Sequence, residues 1–278
     1  MRKREFLAGS LGIVAALASP AVRREQARGE TSVLHRRVRT TSLFKSPDGF
    51  PNALAGSPEG LWIGEQKRPD AIDKSEKAML VDWNTGALKR TVLTQSRNTS
   101  GMAYGGGYIW MGANAEPQGF FQTDLNSRTI SHRQIPLGGG GTHGALYHEG
   151  KLWIMTTRLK GIMRVDPTTW QPEFMIPVNT ARQHDIAWDN GAIWMVTGTA
   201  LAGTDYSANR PGLAKYDALT GRLLETADFE PGSCDPHGLE MHNGVLYTCD
   251  AGIGSGFVET RSPTSRDICR IDFIAERT

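Results

Sequence analysis

Long hydrophobic runs are missing from these 278 residues. The best candidate, Ala8 to Ala18, is shorter than the roughly 20 apolar residues that cross a bilayer. No extended stretch carries a helical period, so a domain built on long amphipathic helices is not expected. Cysteine is scarce. Cys234, Cys249 and Cys269 all fall in the last quarter without zinc-finger spacing, and an odd count leaves at least one thiol over, although an oxidising compartment would permit one disulfide. An excess of one charge is also lacking: a formal +2 with interspersed signs gives no basic stripe, which argues against a nucleic-acid partner. There is no low-complexity segment, no Ser-His-Asp order, no nucleophile elbow, no phosphate loop and no dinucleotide fingerprint. Each absence removes a familiar class of enzyme.

What is present is repetition. The stretch DPHGLEMHNGVLYTCD (235–250) has four relatives upstream, at 51–65, 99–113, 142–156 and 183–197. In each, an aromatic residue (Trp62, Trp110, Trp153, Trp194, Tyr247) stands ten positions after a fixed point: Asn52, Ser100, His143, His184 and His237. With 32 glycines and seven tryptophans, this pattern points to many short strands joined by turns. Each unit offers a first strand with the fixed point, a hairpin turn such as Asn190-Gly191 or Asn243-Gly244, and a second strand with the aromatic residue. A third strand ends near aspartate, and a fourth follows after a turn such as Asn84-Thr85-Gly86.

Five units supply only four fourth strands, because the chain ends soon after Asp272. Val33 to Phe44 can supply the missing one, closing a ring between the two ends of the repeat region. The expected fold is therefore all-β: a five-bladed β-propeller of four-stranded blades, the last closed by an N-terminal strand. The expected organisation is an export signal over 1–21, a disordered linker over 22–32 and one propeller domain over 33–278.

The first strand of each blade lines the channel, so the fixed points form a ring at its mouth. His143, His184 and His237 occupy three successive positions of that ring, and converging imidazoles are good ligands for a divalent ion such as Zn, Fe or Mn. Pairing each fixed point with the residue 13 positions later across the hairpin brings Glu65 and Asp250 to the same rim. Glu65 is the expected general base, and Asp250 a ligand or an orienter of His237. Asn52, Asn114, Arg158 and Arg210 are the expected substrate contacts, and the long connections on that face add Lys67, Arg68, Asp205, Tyr206 and Asn209. The alternative is that the imidazoles bond channel water and backbone, or accept an anionic ligand without metal. His132, His148 and His242 lie near outer strands or bottom turns, and the repeat aromatics are expected to pack the blades.

The pattern Pro/Thr-His-Gly-Leu/Ala followed by Gly-x-Leu-Trp/Tyr, in 142–154 and 236–247, resembles the repeats of the streptogramin (virginiamycin) B lyase family. That resemblance implies elimination at an ester of a cyclic depsipeptide, with a divalent ion and a histidine base near the channel, though that family has seven blades. Leu239-Glu240, Asn243-Gly244 and Tyr247 also resemble a repeat of the plant-type glutaminyl cyclotransferases, which are exported five-bladed propellers. Ile63 stands where their catalytic glutamate would be, and His184-Asp185-Ile186-Ala187 replaces their Glu-Gly-Trp-Gly stretch, so their activity does not carry over. Lactonase-type propellers with one metal on the axis are a third comparison.

Arg2, Lys3 and Arg4 before Glu5-Phe6-Leu7, an apolar run, and small residues ending at Ala18 or Ala21 resemble a twin-arginine signal. The expectation is a periplasmic or secreted, metal-dependent lyase or hydrolase acting on an ester-like bond of a small or cyclic molecule. It has no membrane partner once the signal is removed. The competing expectation is a non-catalytic propeller that binds a ligand or protein on the same face.

Overall fold

The computed structural model describes residues 33–73, 75–178, 180, 182–198, 211–254, 257–260 and 262–275. The expected signal and linker (1–32), and Asp205, Tyr206, Asn209 and Arg210, lie outside the described residues.

Three four-stranded antiparallel sheets follow one another along the chain. They are β2 (Phe50–Ser57), β3 (Gly60–Gln66), β4 (Lys77–Val81) and β5 (Leu88–Leu93); β6 (Thr99–Gly105), β7 (Tyr108–Ala113), β8 (Gly119–Asp124) and β9 (Thr129–Arg133); and β10 (Thr142–His148), β11 (Lys151–Thr156), β12 (Gly161–Val165) and β13 (Pro172–Pro177). The fourth meander is β14 (Gln183–Asp189), β15 (Ala192–Thr197), β16 (Gly212–Asp217) and β17 (Leu223–Phe229). The last has three strands of its own, β18 (Pro236–His242), β19 (Val245–Asp250) and β20 (Asp267–Phe273), and is completed by β1 (Leu34–Lys45), antiparallel to β20. An unanticipated feature is that Leu34 to Val38 of β1 also pair in parallel with β17, so the last two meanders share one eight-stranded sheet.

The inner strands β2, β6, β10, β14 and β18 touch in cyclic order, β18 returning to β2. Apolar side chains fill the spaces between successive sheets. Trp62 packs with Met102 and Met111, Trp110 with Ala145 and Ile154, Trp153 with Ile186 and Met195, and Trp194 with Leu239 and Ile271. Leu54, Leu61, Ile268 and half-buried Tyr247 close the circle. Burying these faces on both sides is the main stabilising term. The repeat aromatics are thus packing residues.

Local chemistry explains the regularity. Asn190-Gly191 and Asn243-Gly244 have positive φ at both positions (46° and 83°, 50° and 77°), the geometry of a two-residue hairpin turn whose twist matches the strands. The repeated aspartates cap the outer turns: Asp82 accepts the N–H of Asn84 and Thr85, Asp166 those of Thr168 and Thr169, and Asp217 those of Leu219 and Thr220. These bonds, together with Lys89 at Asp82 and Lys151 at Asp166, hold the carboxyls of Asp82 and Asp166 well below the usual range.

The cysteines form no disulfide. All three are free and buried.

Candidate functional site

Each inner strand changes register at its fixed point: between Pro51 and Ala53, Thr99 and Gly101, Thr142 and Gly144, Gln183 and Ile186, and Pro236 and Leu239. The fixed points are therefore bulged residues, and a bulge re-aims a side chain away from the regular alternation of the strand. This corrects the pairing expected from the sequence. The residue 13 positions after the fixed point pairs with the residue just before it: Pro51 faces Glu65, and Pro236 faces Asp250.

The residue after each fixed point is Ala53, Gly101, Gly144, Asp185 or Gly238. Asp185 is fully buried, and its carboxylate accepts the N–H of Leu54 (3.2 Å), Ala145 (3.1 Å), Ile186 (3.0 Å) and Leu239 (3.1 Å). One side chain thus ties β14 to β2, β10 and β18. Burial pushes its pKa up, and the four N–H bonds oppose that shift. Its neighbours in the ring must be small: a Cβ at Gly144 would stand 2.8 Å from Asp185 Cα and 3.0 Å from its Oδ1. Sequence reasoning missed Asp185. The signal was a lone acid in a column otherwise made of Ala and Gly.

Above this tie lies a cavity of about 380 Å³ whose lining includes the complete ring of fixed points, Asn52, Ser100, His143, His184 and His237, together with Asn114, Arg158 and Arg182. Ring centroids of His143 and His184 are 5.4 Å apart, and those of His184 and His237 are 4.4 Å apart. His237 Nδ1 lies 3.1 Å from the Asp235 carbonyl. His143 Nδ1 and His184 Nε2 are buried without a hydrogen-bond partner among the described residues. Burial lowers the pKa of both, most strongly at His184; at His143 a hydrogen bond with the Gly141 backbone opposes the shift, and charge on His237 and on Arg182 adds to it at both. The floor is a polar chain: Asn52 Nδ2 donates to the Thr99 carbonyl (2.9 Å) and Ser100 Oγ (3.1 Å), while Asn114 exchanges hydrogen bonds with Thr142.

The structure thus brings together the three histidines, Asn52, Asn114 and Arg158. The two expected carboxylates are elsewhere. Glu65 is buried against the Gly49 backbone with Lys67 Nζ 4.0 Å away, and burial raises its pKa. Asp250 accepts the Gly252 N–H (2.9 Å) and the Thr264 hydroxyl (2.7 Å), anchoring the connection to β20. Neither lines the cavity. Lys67 and Arg68 pair with Asp73 and Asp70 within their own loop. His148 and His242 stack on Trp188 and Trp83 at 3.8 and 4.0 Å, consistent with packing roles.

The expected metal-ligand set can be tested on these positions. Among the described residues, no group of three or more His, Cys, Asp or Glu is arranged to hold a metal ion. Glu65 and Asp250 are committed elsewhere, so of the expected set only the three imidazoles face the cavity, and the Asp235 carbonyl engages one ring nitrogen of His237 and leaves the other open. What the arrangement offers directly is a pair of buried, uncharged imidazoles in a polar pocket.

No protein-family model matches the chain, and no curated protein matches it. Solved structures do. Glutaminyl cyclase from Myxococcus xanthus superposes with a TM-score of 0.60 at 10% identity, covering 87% of this chain and 98% of that one. A streptogramin B lyase gives 0.48 at 13% identity over 85% of this chain and 98% of that one. A catalytically inactive virginiamycin B lyase from Staphylococcus aureus with quinupristin gives 0.47 at 16% identity over 82% and 68%. The first likeness defines the class: an all-β protein of the β-propeller fold. On that fold this chain carries an imidazole-lined cavity above a buried aspartate.

Proposed function

We propose that the protein is a five-bladed propeller enzyme whose axial cavity performs acid–base chemistry on a small molecule, by elimination or hydrolysis at an ester-like bond. The blade count rests on the cyclic contacts of β2, β6, β10, β14 and β18. One observation carries the chemistry: His184 Nε2, without a hydrogen-bond partner among the described residues and kept uncharged by burial. A neutral imidazole in a cavity is a proton acceptor ready near neutral pH.

In an elimination, the imidazole takes the proton α to a carbonyl, the released electron pair forms the C=C bond, and the C–O bond breaks with the carboxylate leaving. In a hydrolysis, it takes a proton from water, the hydroxide adds to the carbonyl, and the imidazolium returns the proton to the departing alkoxide. In both, Arg158 and Arg182 balance the negative charge that develops on oxygen, and the amides of Asn52 and Asn114 orient the substrate. Asp185 is a positioning residue, because it fixes the strand that carries His184.

Export to the periplasm or beyond is part of the proposal, supported by Arg2-Lys3-Arg4 and the apolar run that follows. The decisive experiment assays purified protein on a panel of lactones and 4-nitrophenyl esters after chelation by EDTA, beside His184→Ala. Turnover that survives chelation and disappears in the variant supports the reading. Equimolar divalent metal, with activity lost on chelation, would replace it by the metal-dependent enzyme expected from the sequence. Absence of turnover on every probe would leave the ligand-binding propeller.

A further inference from the structure

We propose that the cavity recognises a small molecule carrying an anionic oxygen group, a carboxylate or a phosphate, held between the guanidinium groups of Arg158 and Arg182 beside the imidazoles. This rests on the acid–base reading of the same cavity and adds the class of substrate to it.

The charge census comes first. Among the described lining residues there are two arginines and no aspartate or glutamate. Around the rest of the molecule, cations are commonly neutralised: Lys45 by Asp267, Lys77 by Asp48, Lys151 by Asp166 and Lys215 by Asp189. Arg158 and Arg182 have no ion pair among the described residues. The remaining polar lining includes the side-chain amide of Asn98 and those of Gln66 and Gln118, which donate to Asn98 Oδ1 and to the Asn114 carbonyl and keep a second N–H each. A planar guanidinium pairs with carboxylate or phosphate in a bidentate way, so two of them without an ion pair among the described residues, in a pocket without a described carboxylate, complement an oxyanion.

The guanidinium of Arg158, an exposed residue, lies over the Gly140 backbone. A Cβ at Gly140 would stand 2.9 Å from Arg158 Cζ, so glycine there leaves the space that the guanidinium occupies. Arg158 and Gly141 also line an adjoining cavity of about 220 Å³ walled by Gly138 to Gly140. On the other side, Asn98 and Phe257 are shared with a third cavity of about 310 Å³. The anionic group therefore sits at a junction, with room for the rest of the molecule on either side.

The test uses the full chain and three probes: inorganic phosphate, succinate, and succinamide as the uncharged counterpart of succinate. Binding is measured by calorimetry. Binding of phosphate or succinate, weakened about tenfold or more in Arg158→Ala and Arg182→Ala, supports the proposal. The tighter of the two anions identifies the source of the charge. Equal binding of succinamide, or anion binding untouched by both substitutions, overturns it, as does failure of both anions to bind. Turnover of uncharged esters dependent on His184 without anion binding would remove this inference alone. Arginine-dependent anion binding without turnover would uphold it and remove the catalytic reading.

Discussion

The carboxylate of Asp185 accepts the backbone N–H of Leu54, 131 residues earlier in the chain, at 3.2 Å. The same oxygen accepts Leu239 at 3.1 Å, so one side chain in the fourth meander bridges the first and the last. The ring is held at its centre as well as at its seam. This gives the first prediction: Asp185→Ala strands four buried N–H donors, each costing about 1–3 kcal/mol. Chemical denaturation should show a loss of at least ~3 kcal/mol, with Asp185→Asn intermediate because one amide oxygen remains. A loss below about 0.5 kcal/mol would remove the central tie from the account.

A second carboxylate works at the same seam. Glu240 accepts the N–H of Gly56 (2.6 Å) and of Met241 (2.9 Å), and burial pushes its pKa up to about 7 from 4.5. The folded state therefore holds this proton more tightly than the unfolded chain does. Its contribution is fully present below pH 4.5 and is lost as the pH rises towards 7. Glu76, which accepts the N–H of Lys67, Asn98 and Thr99, is also raised to about 7 and has the same sign. Stability measured by denaturation should fall between pH 5 and pH 7, more steeply in the native chain than in Glu240→Gln, which has no proton to lose. Equal slopes for the two proteins would contradict the assignment.

Gly198 shapes the site without touching substrate. A Cβ there would stand 2.5 Å from His184 Nε2, closer than real contacts allow, and the imidazole is the part that must move. Gly198→Ala should lower kcat at least tenfold while the melting temperature changes by only a few degrees. Unchanged turnover would show that the position of His184 is not critical.

The seam strand β1 makes a prediction about the whole fold. Its first half pairs with β17 and its second half with β20, and Val38 is fully buried between them. Deleting residues 33–45 leaves both neighbours as open edges, which invite aggregation. The loss should reach the full stability of a typical domain, about 5 kcal/mol or more. A truncated protein with an unchanged melting temperature would mean that the ring closes without this strand.

How much of this was legible in the sequence follows from the kind of signal involved. Strand order and the ring were legible because the fixed point, the hairpin pair and the aromatic residue recur at constant spacing, and each marks one physical job. The three histidines could be brought to one cavity for the same reason. The bulges were not legible. A one-residue shift in pairing changes nothing in the spacing of residues along one strand, yet it decides that Glu65 and Asp250 stay out of the cavity. Asp185 was hidden differently: its partners are backbone amides, which carry no residue identity to read. The second edge of β1 was equally silent, since nothing in Leu34 to Val38 distinguishes a parallel partner from solvent.

The central claim is that His184 is a neutral base in the axial cavity, and the most direct measurement is an NMR titration of its ring in EDTA-treated protein, assigned against His184→Asn. The account predicts an imidazole that stays uncharged through the pH range around 6.5 and titrates only well below it. A titration at or above 6.5, or a ring that shifts on stoichiometric addition of zinc, would contradict it.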